Sequence, residues 1–199
     1  MNLDAWLAAA ALLGVAAITP GPNNLVVLRA AGQAGLRGAM PAIAGIVVGG
    51  LLLLALMVLG AGAAFAAWPP LRHGAVVVGA LYLAWLGLSL CFGGVSPAPP
   101  TGSARLPTEA LGLVGFQFLN PKSWVLVLTV LAALPAADLR NYLTLAGLFA
   151  LIPAACLLLW ALLGAWLARW LAHPAVRRGV DIATGALLMA CAVLLPIEP

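Results

Sequence analysis

Charged residues are scarce in this sequence. They make up only 7% of its 199 residues, and just five residues are acidic. Soluble globular domains carry about 25% charged residues, so this composition excludes an ordinary water-soluble fold. Apolar residues instead form 65% of the chain, and the mean hydropathy is +1.15. The sequence therefore predicts an integral membrane protein.

Residue patterns that carry catalysis or metal binding are also missing. The three cysteines lie in separate apolar segments without CxxC spacing, and neither histidine has an acid or cysteine at metal-ligand spacing. The sequence has no HExxH motif, no acidic pair and no Ser/His/Asp arrangement. These absences argue against an enzyme, and we expect neither a metal site nor a cofactor.

Long apolar runs are what the sequence does contain. A helix of about 20 residues crosses the roughly 30 Å of hydrocarbon in a bilayer. The runs predict six transmembrane helices: Asp4–Ala31, Ala39–Ala67, Gly74–Phe92, Thr108–Ala137, Tyr142–Ala168 and Gly179–Ile197. The first run lacks the basic start of a signal peptide, so we expect it to be retained as a span.

The six predicted spans divide into two halves. Residues 1–92 and 108–199 hold three spans each, and the Pro-, Gly- and Ser-rich segment 93–107 connects them. Equivalent helices then cross the membrane in opposite directions, as in an inverted repeat. "GALYLAWLGL" at 79–88 echoes "GALLMACAVL" at 185–194. The predicted fold is an all-α 3+3 inverted repeat in which helices 1 and 4 are interrupted.

Prolines interrupt the first and fourth spans. "TPGPNN" at 19–24 and "NPKS" at 120–123 contain Pro20, Pro22 and Pro121. Each proline lacks an N–H and leaves carbonyl oxygens without helical donors, which a membrane tolerates only beside protein or a water-filled cavity. Paired interruptions indicate a transporter binding site. We expect the freed carbonyls to accept from a substrate ammonium or a cation, and the half-helix beginning near Asn23 to attract a carboxylate.

Polar side chains near the breaks are candidate ligands. Asn23, Asn24 and Asn120 offer donors and acceptors, and Gln117 is expected either to line the same cavity or to form an interhelical hydrogen bond. Lys122 lies inside a predicted span, where a charge is taken as functional. It would hold a substrate carboxylate or release a proton; the alternative is that its stem snorkels to the interface.

Basic residues and glycines give the remaining expectations. Six arginines fall on one side of the predicted spans (Arg29, Arg37, Arg105, Arg169, Arg177 and Arg178) and two on the other (Arg72 and Arg140). The positive-inside rule then places both termini outside, and the net charge of +4 needs no nucleic-acid partner. Close helix contacts, within the chain or across a homodimer, are expected at Gly45, Gly49, Gly50, Gly60, Gly62 and Gly164.

Asp181, at the predicted start of the sixth span, has two readings. It either pairs with Lys122 or favours a helix N-terminus. With Lys122 it is a candidate for proton coupling.

These motifs resemble the LysE/RhtB-type amino-acid exporter family of bacterial inner-membrane proteins. The resemblance rests on "TPGPNNLVVL" at 19–28, "AGLRGAMPAIAGIVVGG" at 34–50 and "FLNPKSWVLVL" at 118–128. It implies export of amino acids or related small metabolites, by exchange with protons. With Gln117 from the pattern above, the implied substrate site comprises Pro20, Gly21, Pro22, Asn23, Asn24, Gln117, Asn120, Pro121 and Lys122.

One departure from the family pattern concerns charge. Many members have an aspartate at the position of Asn23, and another in the fifth span, where this chain has no acid. The alternatives to amino-acid export are an inorganic cation exporter and an accessory membrane protein. Multivalent cations need several charged oxygen or soft ligands, which the spans hardly provide.

Overall fold

The computed structural model describes residues 3–61, 63, 67–92, 110–134, 138–171 and 173–194. This part of the chain is helical, which confirms the predicted all-α class. The helices are α1 (Leu3–Ile18), α2 (Pro22–Leu56), α3 (Pro69–Phe92), α4 (Ala110–Leu119), α5 (Pro121–Ala133), α6 (Leu139–Leu171) and α7 (Pro174–Leu194), with a π-helical turn at Met57–Ala61 after α2.

Both interruptions lie at the predicted prolines. Helix α1 ends at Ile18 and α2 begins at Pro22, while α4 ends at Leu119 and α5 begins at Pro121. Proline suits the first position of a helix because its missing N–H has no helical acceptor there. The axes of α4 and α5 differ by 68°. Each break therefore stops one helix and starts the next.

Helix α2 corrects the prediction of a loop at residues 32–38. Helical residues extend from both sides as far as Gly35, whose φ of 70° and ψ of −177° interrupt the helical backbone, so the connection is a kink at one residue. Glycine takes this positive φ without the steric cost of a Cβ. Gly50 follows Asn23 by 27 residues, which a straight helix would place about 40 Å apart, yet both line one cavity. The chain therefore turns back at Gly35.

The number of membrane crossings is tested only in part. Pro22–Gly60 and Leu139–Ala168 are long and apolar enough to span a membrane, and α4 with α5 forms a third candidate if the bent pair is one span. Helix α1 and Val77–Phe92 are shorter apolar helices. Six spans stay a prediction, and the connecting segment 93–107 lies outside the described residues.

Glycines let helices approach closely within the chain. A Cβ at Gly45 would lie 2.3 Å from the Ala110 carbonyl oxygen, and one at Gly49 would lie 2.6 Å from Gln117 Cγ. A Cβ at Gly164 of α6 would lie 2.1 Å from the Leu28 carbonyl oxygen of α2. The predicted close contacts are confirmed at these three positions.

Two other glycines make no close helix contact within the chain. A Cβ at Gly50 or Gly60 would meet no atom within 4 Å, and Gly60 instead has a positive φ of 120°. Gly62 lies outside the described residues. At Gly60 the backbone conformation, rather than packing, accounts for the glycine.

Two hydrophobic clusters form the core. The first joins α2, α3, α4, α6 and α7, and within it Gly87 of α3 packs on Gly185 of α7. The second joins α1, the end of α2, α5 and α6. Ile46 of the first cluster and Phe149 of the second line the same cavity. The cavity therefore lies where the two clusters meet, beside both breaks.

Candidate functional site

A cavity of about 80 Å³ lies between the two breaks. The cavity is lined by Ala16, Ala17, Gly21, Pro22, Asn23, Asn24, Ile46, Val47, Gly50, Gln117, Asn120, Lys122, Ser123, Leu126, Val127, Phe149, Pro153 and Leu157. Polar groups come from the two breaks, and the rest of the wall is apolar.

Three amide side chains join the breaks. Asn23 Nδ2 donates to Gln117 Oε1 at 3.1 Å, and Gln117 Nε2 donates to Asn23 Oδ1 at 2.9 Å. Asn120 Nδ2 also donates to Asn23 Oδ1, at 3.2 Å, and Ser123 Oγ donates to Gln117 Oε1 at 2.8 Å. Gln117 and Asn120 are each 1% exposed. Mutual hydrogen bonds hold this amide cluster in place before any ligand arrives.

Lys122 reaches from the second break to the first. Its Nζ donates to the Thr19 carbonyl oxygen at 3.0 Å and to Thr19 Oγ1 at 2.9 Å. A Cβ on Gly21 would lie 3.1 Å from this Nζ, so the bare glycine leaves room for the ammonium. The cation is thereby placed at the edge of the cavity, next to the N-terminus of α2.

The carbonyls freed at the first break are occupied by protein donors. Asn24 Nδ2 donates to the carbonyl oxygens of Ala17 and Thr19 at 2.9 and 2.8 Å, and Trp160 Nε1 donates to that of Ile18 at 3.2 Å. No carbonyl among these three is left without a donor, and the expectation that they bind a substrate ammonium stays a prediction. Side chains satisfy them because an unpaired carbonyl in an apolar interior is costly.

The second break satisfies its backbone with its own residues. Trp124 Nε1 donates to the Phe118 carbonyl oxygen at 3.0 Å, and Asn120 Oδ1 accepts from the backbone N–H of Lys122 at 3.2 Å. Asn120 is thus a side-chain N-cap for α5. Gly21, the corresponding residue before α2, provides no side-chain cap. The first turn of α2 consequently presents N–H groups and its positive dipole end beside the cavity.

Asp181 occupies neither of its predicted environments. Its Oδ1 lies 2.6 Å from Arg29 Nη1 in an ion pair whose two side chains are about one-fifth exposed. Helix α7 begins at Pro174 instead of Gly179, so Asp181 is two turns inside it. Pairing with Lys122 and an N-terminal position are both wrong. Arg29 lies in α2, before the bend at Gly35.

The structure places most of the predicted site residues around one cavity. Those that line it are Gly21, Pro22, Asn23, Asn24, Gln117, Asn120 and Lys122. Pro20 is exposed and is not among the lining residues, while Pro121 contributes as the first residue of α5.

Sequence reasoning missed two polar residues at the breaks. Ser123 directly follows Lys122 and could have been inferred from that position, whereas nothing in the sequence connects Trp160 with the first break. Among the described residues, no three His, Cys, Asp or Glu side chains come together. The polar groups of the cavity are therefore amides, a hydroxyl, backbone N–H groups and one ammonium.

Comparison with known proteins gives a consistent result. The family model of the LysE type translocator matches residues 14–198. The cysteine/O-acetylserine efflux protein of Salmonella typhimurium is 33% identical over 185 residues, which cover 90% of this chain and 91% of that protein. The protein of the same name from Escherichia coli strain K12 is 29% identical over the same shares of each chain. No solved structure matches the chain.

Proposed function

Because the chain belongs to the LysE type translocator family, we propose that it exports small amino acids through the cavity between the two breaks. The observation that carries this proposal is the placement of Lys122. Its ammonium lies beside the uncapped first turn of α2, and both groups border one cavity with the amide cluster. A cation and a helix N-terminus together favour a carboxylate.

The rest of the cavity suits the other parts of an amino acid. Asn120 Oδ1 accepts one bond, from the Lys122 N–H, and an amide oxygen has two lone pairs. That oxygen and Ser123 Oγ are the acceptors that we assign to the substrate ammonium. Ile46, Phe149 and Leu157 form an apolar wall for its side chain. No carboxylate lines the cavity among the described residues, which favours a substrate whose side chain is uncharged.

The size of the cavity narrows the substrate further. A cavity of about 80 Å³ favours a small amino acid over one with a long or aromatic side chain. Cysteine and O-acetylserine, which the names of the relatives specify, are of this size and carry uncharged side chains. We therefore propose that these two compounds or close analogues are the substrates.

For the membrane arrangement we propose six spans in a 3+3 inverted repeat. The first interrupted span would be α1 together with the part of α2 that precedes Gly35. The second would be α4 together with α5. Packing supports this division: span one contacts span five at Leu28 and Gly164, and span four contacts span two at Ala110 and Gly45. These two contacts are equivalent under the repeat. Both termini outside and an inner-membrane location complete this proposal.

Proton exchange remains part of the proposal, with Lys122 as its residue. It is the titratable side chain that lines the cavity in the described part of the chain. Asp181 is paired with Arg29, so we assign the coupling to Lys122 alone. A substrate carboxylate would compete with Thr19 for the ammonium, which links binding to the charge of the lysine.

The test is release of cysteine, O-acetylserine and a panel of other amino acids from preloaded cells that express the protein. We expect selective release, lowered at least about tenfold in Lys122→Ala, because a charge-assisted contact is worth about 1.5–3 kcal/mol. Arg140→Ala is the matched control, since Arg140 is an exposed basic residue at the start of α6. Normal release by an inserted Lys122→Ala protein would contradict the role of Lys122, and no release by the wild type would contradict amino-acid export.

A further inference from the structure

Three glycines of α2 lie close together, but packing explains only two of them. Gly45 and Gly49 let α4 approach so closely that a Cβ at either position would overlap it. A Cβ at Gly50 would meet no atom within 4 Å. Close packing within the chain therefore does not explain Gly50.

The open space at Gly50 belongs to the cavity. Gly50 lines it together with Val47 and Ile46, which lie three and four residues earlier and therefore on the same face of α2. The preceding residue, Gly49, packs on Gln117 of the amide cluster. Gly50 is thus next to the polar groups, at the point where the apolar wall begins.

We infer that Gly50 determines the largest substrate side chain that the cavity admits. This inference rests on the proposed export of small amino acids. With the carboxylate at Lys122 and the ammonium at the amide cluster, the side chain extends along the wall that Gly50, Ile46 and Val47 share. A methyl group at position 50 would project into the open space of the cavity and reduce its volume.

The expected effect is a change of selectivity. A cavity narrowed by one methyl group discriminates between substrates that differ in length by about tenfold or more. O-acetylserine is longer than cysteine by its acetyl group, so Gly50→Ala should reduce its export first. Gly50→Val should block both compounds, because its two further methyl groups occupy more of the space.

The experiment uses the purified full-length protein in liposomes loaded with O-acetyl-L-serine or L-cysteine under reducing conditions. We expect Gly50→Ala to lower the ratio of O-acetylserine to cysteine release at least about tenfold. Gly147→Ala is the matched control: Gly147 lies in α6, has no atom within 4 Å of its Cβ position and does not line the cavity. Both changes raise helix propensity equally, so folding does not distinguish them.

Each outcome has one meaning. A lower ratio with retained cysteine release, in Gly50→Ala but not in Gly147→Ala, supports the inference and shows that the variant is folded. An unchanged ratio, or an equal loss of both activities in a folded variant, overturns the role of Gly50 while wild-type export stands. If the wild type releases neither compound, the proposed function fails and the inference fails with it. Gly50→Ser, which adds a similar volume, replaces Gly50→Ala if the latter does not insert.

Discussion

The two breaks begin with similar sequences but are completed in different ways. In the first, Gly21 precedes the helix-starting proline and adds no cap, and the freed carbonyls accept from donors on α2, α5 and α6. In the second, Asn120 precedes the proline, caps α5 and shares the closure with Trp124 four residues later. The first break depends partly on distant helices, whereas the second satisfies its own backbone.

This difference assigns separate tasks to the two breaks. The self-contained second break fixes the base of Lys122, while the first break, with its uncapped helix start, receives the lysine ammonium. A rigid donor of charge therefore faces a backbone that keeps N–H groups for a ligand. Under the proposed function, the paired motifs are complementary parts of one site, and the variants below test each part.

The largest effect on stability is expected for Asn23→Leu. This change removes three hydrogen bonds that connect the breaks and leaves the buried donors of Gln117 and Asn120 unpaired. We expect a loss of about 2 kcal/mol or more in the free energy of unfolding, measured by denaturation in mixed detergent micelles. Asn141→Leu, at the start of α6 and outside the cavity, is the control. Equal stability of the two variants would show that the amide cluster does not join the breaks.

An intermediate effect is expected for Gly21→Ser, which gives the first break the kind of cap that the second already has. A serine cap should raise the stability of α2 by up to about 1 kcal/mol. Export should nevertheless fall several-fold, because the cap takes an N–H that we assign to the substrate and the new Cβ displaces Lys122 Nζ.

Gly21→Ala separates these two causes. Gly21→Ala displaces the lysine without adding a cap. If export is lower in Gly21→Ser than in Gly21→Ala, the difference measures the contribution of the N–H groups alone. Undiminished export by a stabilised Gly21→Ser protein would show that the uncapped N–H groups at the start of α2 are not part of the site.

The smallest effects are expected for two tryptophan changes. Trp160→Phe and Trp124→Phe each remove one N–H donor from a freed carbonyl, at a cost of about 1 kcal/mol in stability. Only Trp160 contacts the break that receives the ligand, so only Trp160→Phe should also alter the export rate. Equal changes of export in both variants would remove the functional distinction between the breaks.

Local sequence was sufficient to predict the breaks and the position of the turn between the first two spans, but not the form of that turn. Proline acts through its own missing N–H and its ring, so Pro22 and Pro121 mark helix starts without reference to the rest of the fold. The bend at Gly35 depends on one positive φ, and helical residues continue on both sides of it although Gly32 and Gly38 disfavour a helix. A less apolar stretch between two apolar runs, such as residues 32–38, predicts a loop.

Contacts between residues distant in the chain could not be predicted from the sequence. The cluster of Asn23, Gln117 and Asn120 was anticipated as a set of candidates, because amides near a break need partners. The pairing of Arg29 with Asp181 was not, since it depends on how α7 packs against α2. Spacing along the chain identifies which polar residues need partners, and only the packing of the helices determines which partners they obtain.

The reach of Trp160 to the first break has a consequence for biosynthesis. Trp160 donates to the carbonyl of Ile18, which lies 142 residues earlier in the chain. Lys122 donates to the carbonyl of Thr19, which lies 103 residues earlier. When α1 and α2 leave the ribosome, neither donor has yet been translated. The Thr19 carbonyl can already accept from Asn24, but the newly made N-terminal half must keep the Ile18 carbonyl beside water or the insertion machinery until the C-terminal half arrives. The second break, in contrast, closes as soon as Trp124 is in place.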